Sequence, residues 1–220
     1  MFVRSDQNDP MSDAADHDDR PSTGTSGTAR TPRAEVRERL LIAGAEVFAE
    51  HGVHEARLDD VAARAGFSKG AVYSNFSSKE DLVAQVMQRG TNLVLGSLQD
   101  LVSADVTTHD IAEIVRTAFG MHDQRAQFAL LSEFRGFAIR HPDFMPEFIR
   151  QRRVLQDGVE RLVRLWFGAH PEVDAGMPLD LFATALIGAN VGIVFDSPAL
   201  DGVDPGEVIA ALVEAVIRRR

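Results

Sequence analysis

The feature that most constrains this chain is a pair of short apolar repeats broken by one glycine. Leu58, Val61, Ala62 and Ala65 recur at the i, i+3, i+4, i+7 spacing of a single helical face. Gly66 then ends the repeat, as a residue free to turn left-handed does at a helix C-terminus. A second short helix is predicted from about Ser68 to Phe76. On its wheel Ala71, Val72, Asn75 and Phe76 share one side, and Lys69, Gly70, Tyr73 and Ser74 the other. Two short helices around a tight glycine turn, the second with an apolar back and a polar front, have the layout of a helix-turn-helix. Such a front suits a nucleic-acid groove. Tyr73 can donate to a phosphate or pack on a thymine methyl, and Gly70 keeps the face low enough for close backbone approach.

Cation usage singles out the same stretch. Of 23 Lys and Arg residues only Lys69 and Lys79 are lysines. The net charge is -10, so any surface for phosphate must be a local one. There is no cysteine, which excludes a disulfide framework and a thiolate metal site. His51 and His54 lie three apart without a third ligand nearby, so no metal is expected. Gly66-Phe-Ser-Lys-Gly70 has the letters of a hydrolase nucleophile elbow, but that motif needs a preceding strand, and Leu58 to Ala65 reads as helix. No Walker A loop, dinucleotide fingerprint or His-Glu-x-x-His run occurs, so neither an enzyme nor a cofactor is expected.

The run Phe67-Ser-Lys-Gly-Ala-Val-Tyr-Ser-Asn-Phe-Ser-Ser-Lys-Glu-Asp-Leu82 resembles the recognition segment of TetR-family transcriptional regulators. The preceding Arg33 to Gly52 stretch, ending Ala-Glu-Val-Phe-Ala-Glu-His-Gly, is similar to that family's first helix, and the likeness covers roughly residues 33 to 85. It implies that Gly70 and Tyr73 reach bases while Ser68, Lys69, Asn75 and Lys79 hold the phosphate backbone. Two departures stand out. Ser74 occupies a place where many members have a second aromatic, which alters a backbone contact. Ala56-Arg57-Leu58 lacks the usual hydroxyl cap of the second helix, which leaves Arg57 as a substitute phosphate contact.

Punctuation divides the rest. Residues 1–31 are acidic, Ser-, Thr-, Gly- and Pro-rich and nearly devoid of apolar side chains, and are expected to be disordered. Residues 32–77 are expected to form the three-helix DNA-binding domain, and 78–220 a helical ligand-binding and dimerisation domain, nine helices in all. Thr31-Pro32 is expected to cap the first helix with proline at its first position. Its inner face would be Val36, Leu40, Val47 and Phe48. Ser77 and Glu80 are expected to form a capping box for a long helix to about Leu101. Further helices are expected from Thr107 to about His122, from about Arg125 to the His141-Pro142 stop, and from Phe144 to Phe167. The last two open at Pro178 and at Asp204-Pro-Gly-Glu207, the latter another capping box. No strand pattern is evident, and the class is all-α.

Phe128 to Ile139 is apolar nearly all round its wheel, as a helix in a domain interior would be. The resemblance implies an effector pocket there, lined by Phe119, Met121, His122, Phe128, Leu131, Phe134 and Trp166; the alternative is that these residues only pack a core. A Phe-rich lining with few charges favours an apolar or aromatic effector. Leu179 to Phe195 mixes small residues (Ala183, Gly188, Ala189, Gly192) with Phe182, Leu186 and Ile193, the composition of close helix contact. A homodimer is expected through this helix and 204–219, since two heads double the contacts across a palindromic operator. Asn190 would set register there or make a core hydrogen bond. The apolar run Phe182 to Phe195 is too short for a bilayer and the N-terminus lacks a secretory h-region, so a cytoplasmic protein with no membrane partner is expected. Three readings remain open: a ligand-responsive repressor binding double-stranded operator DNA, a DNA-bound factor of the same fold without an effector, and an all-α interaction module or enzyme.

Overall fold

The computed structural model describes residues 31–104, 111–119, 124–196, 202 and 204–219. The expected acidic tail therefore lies outside the described residues, as do Thr107 to Asp110 of the expected fifth helix and the candidate pocket residues Met121 and His122. Among the described residues nine α-helices follow in order: α1 Arg33–Glu55, α2 Leu58–Ala65, α3 Lys69–Asn75, α4 Lys79–Ala104, α5 Ile111–Phe119, α6 Gln124–Arg140, α7 Met145–Ala169, α8 Leu179–Asp196 and α9 Pro205–Val216. The architecture is all-α. One addition to the expected pattern is a two-residue antiparallel pairing, β1 (Val173–Asp174) with β2 (Arg218–Arg219).

Local chemistry explains most boundaries and corrects two. Helix α1 does not begin on a Thr31 cap with proline inside. Pro32 itself stands at the cap position in an extended conformation (φ -55°, ψ 141°), and it makes no side-chain capping bond. The box at the start of α4 is shifted by one residue from Ser77 and Glu80. Because Lys79 is the first helical residue, Ser78 is the cap and Asp81 the third position, and Ser78 Oγ accepts from the Asp81 N–H at 3.1 Å. The Asp81 carboxylate reaches back to the N–H and hydroxyl of Ser77 at 2.8 and 3.0 Å. Asp204 caps α9 as its sequence suggests, accepting from the N–H groups of Gly206 and Glu207. Gly66 closes α2 at φ 74°, where a side chain would be strained. Gly52 breaks α1 near its end at φ 73°, ψ 153°.

Two apolar cores result, and the first draws on residues both before and after residue 78. The first joins α1 (Leu40, Val47, Phe48), α2 (Val61), α3 (Val72) and the start of α4 (Leu82, Val86) to Phe134 and Phe137 of α6 and Phe144 in the 3-10 turn at Pro142–Phe144. Phe48 and Phe134 meet edge to face with centroids 6.4 Å apart, worth about 0.5–1.5 kcal/mol beyond burial. The second core joins the end of α4 to α5, α7, α8 and α9 around Trp166, Phe182 and Ile209.

Candidate nucleic-acid interface

Helix α3 buries Val72 and leaves Lys69, Gly70, Tyr73 and Ser74 exposed, the division its wheel foretells. Tyr73 is 53% exposed, an unusual place for a tyrosine without a partner surface. The polar residues around it differ in how available they are. Lys69 is paired to Asp59 of α2 at 2.9 Å, and that hydrogen bond holds its ammonium above the ordinary lysine value. Ser74 Oγ donates to Ala71 O at 2.9 Å, and Asn75 Nδ2 donates to the same oxygen at 2.8 Å, so both turn back on their own helix. Lys79 Nζ donates to His54 O at 2.7 Å. Burial pushes the Lys79 ammonium below its usual range, with Glu80 and Glu55 acting the other way. Ser68 is exposed at the start of α3 and makes no capping bond.

The cations of α1 to α4 are nearly all engaged. Arg64 pairs with Glu46 and Glu50, and Arg89 with Glu38. Arg33, Arg37 and Arg39 of α1 donate to backbone carbonyls at the ends of α2 and α3. Among the described residues of this region, exposed Arg57 is the cation whose side chain has neither an ion-pair nor a hydrogen-bond partner, and its charge is felt at Lys69. Asp59 and the three α1 arginines were not singled out in the sequence. The signal was there: Arg33 and Arg37 lie one turn apart, on the opposite flank of the Val36–Leu40 stripe from Arg39.

The expected effector residues do not form one set. Phe119 and Trp166 border an apolar cavity of about 60 Å³ together with Leu98 and Val102 of α4, Val115 of α5 and Val159 and Leu162 of α7. Phe134 belongs to the other core, where it packs on Phe48, because its face of α6 points to α1. Phe128 and Leu131 are half-buried and do not line the cavity. Trp166 Nε1 is buried without a hydrogen-bond partner among the described residues. Of the expected dimer residues, Phe182 and Leu186 are buried within the chain itself, whereas Gly188, Ala189 and Ile193 are not. The exposed apolar residues of this end are Leu181 (55%), Phe195 (71%) and, on α9, Leu212 (51%). Helix α8 also extends beyond the run judged too short for a bilayer. Its 18 residues, of mean hydropathy 1.5, meet the length and composition of a membrane crossing.

Residues 40–86, which hold this interface, match the sequence profile of the bacterial regulatory proteins of the tetR family. Over these residues the chain carries the DNA-binding domain of the TetR family. Its members are DNA-binding regulators rather than enzymes. Among curated TetR-like relatives, the HTH-type transcriptional activator FasR of Mycolicibacterium smegmatis is 45% identical over 100 residues, 45% of this chain and 44% of that one. The HTH-type transcriptional repressor BepR of Brucella suis is 39% identical over 56 residues, 26% of this chain and 27% of that one. The chain thus spans less than half the length of these two relatives. A putative TetR-family regulator from Mesorhizobium loti shares the fold at TM-score 0.68 and 15% identity, over 86% of this chain and 99% of that one.

Proposed function

We propose that this TetR-family chain is a cytoplasmic, ligand-responsive transcriptional repressor that binds a palindromic operator as a homodimer. The carrying observation is the front of α3. Tyr73 stands exposed beside Gly70, with the Lys69 ammonium 5.8 Å from its ring centroid and unpaired Arg57 on the neighbouring helix end, so its hydroxyl and ring edge face solvent beside two cations. Arg57, Ser68 and Lys69 hold phosphates around it. Lys69 first releases Asp59. The twofold partner is a second copy, covering Leu181, Phe195 and Leu212, and this accounts for the apolarity of α8 without a membrane.

The effector is small and largely apolar, in keeping with a cavity whose lining residues are all apolar. Ordinary ligand pockets run to several hundred Å³, on the order of 300–1,000 Å³. A cavity of about 60 Å³ must therefore open before it accepts such a molecule. Opening it moves α4 away from α5 and α7, and α4 begins at the head, so ligand and operator would prefer different arrangements. The small cavity equally favours a second reading, a regulator of this fold with no small-molecule effector.

The test is a fluorescence-anisotropy titration of the full-length protein with a duplex selected by it from a random pool. Tyr73→Ala should lose about 1–3 kcal/mol of affinity for that duplex and remain a dimer. Unchanged affinity would remove α3 from the groove.

A further inference from the structure

The two helices of the helix-turn-helix end differently, yet the same neighbour, α1, closes each. Helix α2 is followed by Gly66 and Phe67, and α3 by Phe76. Arg39 of α1 lies over the Phe67 ring, 4.6 Å from its centroid, and donates to Ala65 O at 2.9 Å. Arg37 lies over the Phe76 ring at 5.3 Å and donates to Asn75 O at 3.3 Å. Arg33, one turn earlier on α1, donates to Ser74 O at 3.1 Å. Each helix C-terminus thus receives a guanidinium from α1, and in two cases that guanidinium also rests on the aromatic ring just beyond the helix.

We infer that Arg33, Arg37 and Arg39 are positioning residues that fix the attitude of the recognition helix on DNA. A helix of two turns has almost no stability of its own, so its orientation is set by what holds its ends. The last carbonyls of a helix lack intrahelical partners and carry the negative end of its dipole, which favours a cation there. Helix α2 has a glycine in the left-handed conformation to help satisfy them: Gly66 donates to Ala63 O and Phe67 to Ala62 O. Helix α3 has no such turn, because Phe76 is extended at φ -133°, so Ser74 O and Asn75 O depend on Arg33 and Arg37. Those carbonyls belong to the two residues after Tyr73, and holding them holds the tyrosine. Leu40, Leu41, Val47 and Phe48 of α1 are buried in the core that these helices share.

Lysine cannot replace arginine here, since an ammonium lacks the flat face that rests on a ring and the fork that reaches the carbonyl at the same time. The positioning role rests on the reading of α3 as the DNA-facing helix, and it makes a separable prediction. It preserves charge but alters geometry, whereas a phosphate contact depends on charge.

The experiment compares the full-length protein with the Arg33→Lys, Arg37→Lys, Arg39→Lys triple variant and with Arg37→Lys alone, the latter in case the triple variant fails to fold. Affinity is read on a duplex selected by the wild type and on a mixed-sequence duplex of equal length, across a salt series. Amide exchange is read by mass spectrometry in the free protein. Affinity for the selected duplex should fall about tenfold, the scale of one charge-assisted hydrogen bond. Mixed-sequence affinity and the salt slope should stay unchanged, and exchange in α3 should accelerate while the second core does not respond. Equal loss on both duplexes with a flatter salt slope would make these arginines phosphate contacts and overturn the inference. Unchanged selected-duplex affinity with unchanged exchange would overturn it too. Faster exchange in α3 from a protein that selects no duplex would uphold the arginine supports and remove the DNA reading instead.

Discussion

Glu133 of α6 accepts a hydrogen bond from the backbone N–H of Val53 at 3.2 Å, next to the break in α1 at Gly52. The carboxylate occupies space that any larger residue at 52 would need: a Cβ there would stand 2.9 Å from Glu133 Oε2. Helix α6 is thereby tied to the end of α1.

Gly52→Ala should destabilise the protein by about 1–3 kcal/mol from backbone strain alone, because its φ and ψ lie in a region essentially reserved for glycine. Thermal unfolding would show it as a lowered Tm. Repeating the substitution in a Glu133→Ala background should cost less, since the clash is relieved. Strict additivity of the two changes would mean that the contact is not felt.

Asp59→Asn should strengthen binding to mixed-sequence DNA by roughly two- to fivefold, the scale of one exposed ion pair. Asp59 neutralises Lys69 in the free protein, and any phosphate must displace it. Anisotropy titrations at low salt would detect the change. Weaker binding by the variant would mean that Lys69 and Asp59 act in place rather than by exchange.

The start of α4 should lose its support in acid. Burial favours the neutral form of Asp81, yet hydrogen bonds from Ser77 and Gln85 and the nearby Arg37 leave its carboxyl below the ordinary aspartate value. The Glu80 carboxyl is likewise lowered, chiefly by a backbone hydrogen bond and by Ser78. A folded pKa below the unfolded one gives stability that is fully present above the unfolded value and is lost as pH falls through the folded one. Asp81→Asn should therefore lower Tm at about pH 7 and make no difference near about pH 2. A deficit that persists unchanged in acid would contradict the capping role.

Leu181→Glu combined with Phe195→Glu should convert the proposed dimer to monomer in light scattering while leaving helix content intact. Both residues are exposed in the single chain and apolar, so each carboxylate would be buried unpaired if a second copy covered them. Persistence of the dimer would move the interface elsewhere.

The head was legible in the sequence because its signals are local. Gly66 ends α2, and the wheel of α3 sorts Val72 inward and Tyr73 outward, from residues a few positions apart. The partners of the larger aromatic residues were not legible for the opposite reason. Phe134 and Trp166 are equally apolar, and only tertiary packing sends one to Phe48 and the other to the cavity. Position within a few residues also decided the α4 cap: Ser77 and Ser78 are chemically identical, and the helix start selects the second. The spacing of the α1 arginines is visible in the sequence, but the backbone carbonyls that receive them leave no mark there.

Because Phe134, Phe137 and Phe144 share a core with Phe48 and Val72, the part of this molecule proposed to read the operator is not a contiguous piece of chain. A chimera joined at residue 78 would carry away α1 to α3 and leave behind the aromatic floor on which they stand. Transplanting the head would require taking α6 and the turn after it as well, so recombination between relatives at that junction would tend to yield insoluble hybrids even where the exchanged heads read the same DNA.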